Sequence, residues 1–252
     1  MQLRLTSPEL AYLLHSVGAR RAVGVNNRQL FPSDALARES LLDTGLAQLR
    51  ENGHLACGEL GWSIHSWLML MAAIIAAPED VLTITRFLPA AQRQIVTYYR
   101  GADQTVEQYQ ADERYMLRMM DRDPPLASQI AALVALPASP SGEARILRVE
   151  WDQFEAIRKA RNGQPRHNRS LLETMQPHIL IEAAALAGEQ LVGFEEILLL
   201  RDGEGGFWSV QVDQAANRLS LQSADEQRLT AEIERMLASF SATPALRVEG
   251  AS

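Results

Sequence analysis

Two adjoining segments constrain this chain most: VLTITRFL at residues 81–88 and QIVTYYR at 94–100. β-Branched and aromatic side chains fill both, and such side chains suit a pleated, half-buried surface better than a helix. Gly101-Ala102-Asp103 then turns the chain. A more polar strand at 104–109 completes an expected three-stranded antiparallel meander. The pattern returns late in the chain, with strands at 194–201, 207–212 and 218–222 and with Gly203-Glu204-Gly205-Gly206 turning between the first two.

Helical spacing surrounds each meander. Ser7-Pro8-Glu9 supplies an N-cap hydroxyl, a proline at the first helical position and an acid near the positive end of the helix dipole. Leu10, Leu13, Leu14 and Val17 keep the spacing as far as Gly18. Residues 20–32 read as loop, and a second helix from Ser33 to Gly53 places Leu42, Leu46 and Leu49 on one stripe. Residues 62–77 are apolar nearly all round, as a buried central helix would be, and Pro78 ends them. Residues 112–120 read as a helix with Met116 and Met120 one turn apart, and another helix ends near Leu136. Beyond PASPSG at 137–142, the clearest linker, residues 151–161 and 177–187 also read as helices. Ser223 and Glu226 form a capping box that opens an amphipathic helix carrying Leu229, Ile233, Met236, Leu237 and Phe240.

An offset of about 113 residues sets Ala111-Asp112-Glu113 on Ala224-Asp225-Glu226, Met116 on Leu229 and Met120 on Ile233. The same offset sets Ile84 on Ile197, Ile95 on Trp208, Tyr99 on Val212 and Val106 on Leu219. The expected fold class is therefore α+β. It comprises two similar halves, each made of helices, a three-stranded antiparallel meander and a capped helix, related by a pseudo-two-fold. The domain reading is one globular unit built by internal duplication: first half 1–136, linker 137–142, second half 143–252.

Composition narrows the function classes. For 252 residues, area scaling buries about three quarters of the unfolded surface, so a core forms without metal or disulfide staples. Cys57 is the one cysteine, which excludes an internal disulfide and any cluster of Cys ligands. The net charge is −7, against the basic surface that general nucleic-acid binding requires. Only Lys159 among the 24 basic residues is a lysine, a bias that reads as GC-rich, bacterial coding. Residues 1–6 lack a charged-then-apolar leader. The longest apolar run, 67–77, falls short of the ~20 residues that span a bilayer. A cytoplasmic protein with no membrane partner is expected.

The groups that could carry chemistry mostly have structural explanations. Asp121-Arg122-Asp123 has a metal-site spacing, but Pro124 follows and no further oxygen ligands lie nearby. Glu195 and Glu196 are neighbours on a strand and point to opposite faces, so they do not act together as acid and base. His54, Cys57 and His65 are not at a zinc spacing. No glycine-rich phosphate loop and no Gly-x-Ser-x-Gly elbow occurs, so neither an enzyme nor a cofactor is expected. One segment departs from this background. Arg158, Lys159, Arg161, Arg166, His167 and Arg169 form an acid-free basic stretch suited to phosphate, nucleic acid or an acidic partner.

Two functions compete on these residues. One is a protein-binding module. The other is a winged-helix-like DNA-binding or regulatory protein, built from helices at 33–53 and 62–77 and a following hairpin. The second suffers because its would-be recognition helix carries no Arg or Lys. The helix at 7–17, the segment SLLDTGLAQLRENGHL at 40–55, the meander VLTITRFL…RQIVTYYRG and the late FWSVQV hairpin with its amphipathic helix have a combined layout. That layout resembles the EspG-type chaperones of bacterial type VII secretion. The resemblance spans nearly the whole chain as a pattern, without a diagnostic motif. It implies a cytoplasmic chaperone that binds a helical secreted substrate, with a meander loop among the contacts. By position that loop is Gly101, Asp103 and Gln104. The sequence does not fix the oligomeric state.

Overall fold

The computed structural model describes residues 2–58, 61–136, 145–150, 152, 174–188, 190–213 and 216–241. Ten of its strands form a single antiparallel sheet, in the order β1-β7-β6-β5-β4-β9-β10-β11-β12-β8. In chain order the sheet strands are β1 (Gln2–Leu5), β4 (Asp80–Phe87), β5 (Arg93–Arg100), β6 (Thr105–Ala111), β7 (Arg114–Met119), β8 (Ile146–Glu150), β9 (Gln176–Ala187), β10 (Gln190–Arg201), β11 (Phe207–Asp213) and β12 (Arg218–Ser223). A separate hairpin joins β2 (Leu55–Gly58) to β3 (Gly61–Ile64). Six α-helices are described: α1 (Ser7–Ser16), α2 (Asn27–Leu30), α3 (Ala35–Glu51), α4 (Ser66–Ala76), α5 (Leu126–Val134) and α6 (Glu226–Ser241).

This architecture overturns the expected pair of halves, each holding a three-stranded meander and a capped helix. The strands belong to one continuous ten-stranded sheet instead. The 113-residue offset sets strand on strand at Ile84/Ile197, Ile95/Trp208, Tyr99/Val212 and Val106/Leu219, but over residues 111–120 it pairs unlike structures. Ala111-Asp112-Glu113 forms a two-residue hairpin turn, with Asp112 and Glu113 both at positive φ (48° and 62°) and Ala111 facing Arg114. Ala224-Asp225-Glu226 instead begins α6, with Asp225 Oδ1 accepting the Arg228 N–H at 2.8 Å. Met116 consequently lies on strand β7 while Leu229 lies on a helix.

The helix read over 62–77 begins only at Ser66, its first residues lying in strand β3, and two further segments read as helices are strands. Residues 112–120 give β7, whose alternate side chains Tyr115 and Leu117 are buried against β1. Residues 177–187 give β9, which lies between β4 and β10 with Ile84 facing Ile181 and Ile181 facing Ile197. Its alanines are good helix formers, but over Ile179–Ala185 the strand is paired on both edges, and this overrides propensity. Ala183 and Ala185 are buried in the same cluster as α5 and α6, where their small side chains let the two helices approach the sheet. The linker at 137–142 lies outside the described residues, as does nearly all of the helix read at 151–161.

Helices cover the sheet on both faces. On one face α5 contributes Ala127, Ile130, Ala131 and Val134, and α6 contributes Leu229, Ile233, Met236 and Phe240. Burying each of the larger of these side chains is worth about 2 kcal/mol. On the other face α1 and α4 pack Leu10, Leu13, Leu14, Leu68, Met71 and Ile75 against Val81, Tyr99, Val106 and Tyr115. Thr6, one residue before the expected cap, closes the N-terminus of α1 in a capping box with Glu9. Glu9 is fully buried, and Asn52 Nδ2 donates to its Oε1 at 2.7 Å, which ties α1 to the end of α3. On α3 the buried residues are Gly45 and Leu49, with Leu41 half-buried beside them, while Leu46 of the expected stripe is exposed.

Candidate functional site

The three residues singled out by position lie together in the β5–β6 turn. Strand β5 reaches Arg100, which faces Thr105 of β6, so residues 101–104 must reverse the chain. The Gly101 N–H donates to Gln104 O at 2.9 Å and closes the turn. Ala102, Asp103 and Gln104 are exposed, and Gly101 is half-buried over Ile74 of α4.

A residue outside the turn holds its shape. Arg122, which follows β7, donates to the Asp103 carbonyl oxygen from Nε at 3.1 Å and from Nη2 at 2.6 Å. The same Nη2 lies 3.2 Å from Asp103 Oδ1. The neighbouring backbone is itself fixed, because Gln129 Nε2 of α5 donates to Asp121 O and Pro124 O at 2.8 and 2.7 Å. The Asp121-Arg122-Asp123 motif is thus a clasp on the turn. Its signal in the sequence is an arginine between two acids just before Pro124, with no cue to which backbone it meets. Between the turn and α5 lies a cleft of about 290 Å³ lined by Arg100, Gly101, Gln104, Met120 and Leu126. Its lining combines the Asp103 carboxylate, held by Arg122, and the Gln104 amide with the apolar side chains of Met120 and Leu126, a combination suited to a protein side chain.

The other expected groups are placed as follows. Arg158, Lys159, Arg161, Arg166 and Arg169 lie outside the described residues. Cys57 is exposed, and His65 precedes α4 and stacks beside Trp67. Among the described residues no group of His, Cys, Asp or Glu is arranged to hold a metal ion. The helix that a DNA-groove reading requires, α4, turns Leu68, Met71, Ala72, Ile74 and Ile75 into the core. No described helix is long and apolar enough to cross a membrane.

A larger cavity of about 660 Å³ lies between the loop after α1, the end of α4 and the β9–β10 hairpin. The loop is pinned by reciprocal bonds between Asn27 and the Ala22 backbone, and by the Tyr99 hydroxyl 2.7 Å from Val23 O. Nearby, Asp80 is buried with Arg100 Nε 3.4 Å from its Oδ1. Burial pushes its carboxyl up to about 6, against the pull of the Arg100 charge, and Glu79 adds to the rise. No protein-family model matches the chain, and no curated protein matches it either.

Proposed function

We propose that this protein is a non-enzymatic protein-binding module that meets its partner through the turn at residues 101–104. The observation that carries this reading is the clasp of Arg122 on the Asp103 carbonyl, which fixes an exposed turn beside a small amphipathic cleft. A turn held in one shape before binding loses little entropy when it docks. The resemblance to EspG-type chaperones narrows the partner to a helical secreted substrate, kept from aggregating in the cytoplasm. A helix laying an apolar face near Met120 and Leu126 with a polar side chain toward Gln104 fits that chemistry.

The test is affinity capture from cells with the wild-type chain and with the double variant Asp103→Ala/Gln104→Ala, alongside thermal melting of each. The expected result is loss of one captured protein with an unchanged melting temperature. Equal recovery by both chains overturns the assignment to the turn. Strong, salt-sensitive retention on heparin would instead favour the DNA-binding alternative.

A further inference from the structure

Strand β10 is paired along its whole length on one side only. Its ladder with β9 runs from Gln190 facing Ala187 to Arg201 facing Gln176. Its ladder with β11 covers only Leu198 facing Val210 to Arg201 facing Phe207. Strand β11 continues to Asp213, but beyond Val210 it pairs with β12 alone. Among the described residues the sheet therefore opens between β10 and β11, and residues 190–197 have no strand partner on that side.

Strand parity gives the direction of the backbone groups along this edge. The Asp202 N–H donates to Gly206 O at 2.9 Å, so beyond the register shift at Val192 the even-numbered residues of β10, from Phe194 on, direct their amides and carbonyls toward β11. From the other side, the Leu186 N–H donates to Glu79 O, so the odd-numbered residues of β9 face β10 and bond its odd-numbered residues. Phe194 and Glu196 thus present their N–H and C=O groups into the opening, and no described residue pairs with them there. Unbonded strand edges of this kind template a further strand.

The side chains on the edge specify what would add. Leu191, Val192 and Phe194 are 60%, 42% and 51% exposed, and Val212 across the opening is 49% exposed. Glu196 is exposed and lies directly opposite Glu182 of β9, two like charges side by side on one face. Such a pair is unfavourable unless a cation comes between, and no described cation pairs with either acid. A second copy of the strand would bring more carboxylates to the same place, in a chain of net charge −7. The register Arg100–Asp80–Ala185–Gly193 also sets this edge at the same end of the sheet as the 101–104 turn. Three strand spacings separate them, about 15 Å.

From these features we infer that residues 192–197 of β10 receive an extended segment of a partner protein by strand addition. The segment carries Lys or Arg opposite Glu196 and an aromatic or β-branched residue opposite Phe194, two positions away. This rests on the protein-binding reading and gives the partner a second, extended contact.

The test is NMR titration of the full-length chain with three acetylated eight-residue peptides. The first has threonine spacers with Lys and Phe two residues apart, the second replaces Lys with Glu, and the third repeats the first with alternate amides N-methylated. The expected result is saturable shifts at the Phe194 and Glu196 amides with the first peptide. Affinity should be about five-fold weaker for the Glu peptide and lost for the N-methylated one. Glu196→Lys should reverse the preference between Lys and Glu peptides. Shifts mapping elsewhere, indifference to charge, or concentration-dependent shifts in the chain alone would each overturn the proposal. If the peptides fail to bind while capture through Asp103 and Gln104 persists, the edge assignment falls and the protein-binding reading stands. If both fail, both fall.

Discussion

The carboxylate of Asp202 accepts the indole N–H of Trp208 at 2.8 Å through Oδ2, while its Oδ1 accepts the Gly206 and Glu204 amides at 2.7 and 2.9 Å. One buried side chain thereby closes the β10–β11 turn and satisfies the only polar atom of a buried tryptophan. Burial alone would raise this carboxyl, but the hydrogen bonds from Trp208, Gly206, Glu204 and Gly205 outweigh it and hold the group below its ordinary 3.8. The carboxylate thus contributes stability above pH ~4 that is lost as the pH falls through its lower folded value. Asp202→Ala should cost about 2–4 kcal/mol at neutral pH, because it leaves buried donors unpaired. Denaturant unfolding of the variant at pH 7 and pH 3 checks both the size and the direction, with a smaller difference at pH 3.

Helices α1 and α3 cross so closely at Gly45 that an added Cβ would lie 2.2 Å from the Pro8 carbonyl oxygen. Backbone does not yield as a flexible side chain does. Gly45→Ala should therefore destabilise the fold by about 2–3 kcal/mol, despite the ~1 kcal/mol gain in helix propensity. A lowered midpoint in a denaturant titration is the expected reading.

Asp80 gives a pH dependence of the opposite sign. Its folded value, about 6, lies above the ordinary 3.8, so this group makes the fold less stable as the pH rises from ~4 to ~6. Asp80→Asn removes the buried charge. The variant should be more stable than the wild type by about 2 kcal/mol at pH 8, with the difference vanishing near pH 4. Melting temperatures across that range measure it.

The clasp on the turn is exposed on both sides, and surface ion pairs add little to global stability. Arg122→Ala should leave the melting temperature unchanged while accelerating amide hydrogen exchange at Gly101, whose N–H closes the turn on Gln104 O. Unchanged exchange would show that the turn keeps its shape without Arg122.

What was legible in the sequence followed from local rules. β4, β5, β6, β10 and β11 lie where β-branched and aromatic side chains are frequent, β12 where Leu219 and Leu221 alternate with polar residues, and α6 buries four of the five residues assigned to its apolar face. What failed depended on partners distant in the chain. The alanines of β9 favour a helix until β4 and β10 bond both its edges, and the Met116–Met120 spacing hides the Tyr115–Leu117 alternation that β1 buries. The hairpin of β2 and β3 and the short strand β1 carry too few residues to show a period. At the candidate site the turn itself was visible, because glycine and aspartate punctuate two strands. Arg122 was not, because its acceptor is a backbone carbonyl 19 residues away.

The most direct test of the protein-binding reading is a photo-crosslinking amino acid placed at Gln104, compared with the same group at Leu36, an exposed position on α3. In living cells the expected result is an adduct of one defined mass from position 104 and none from position 36. No adduct at 104, or the same adducts from both positions, would contradict the reading.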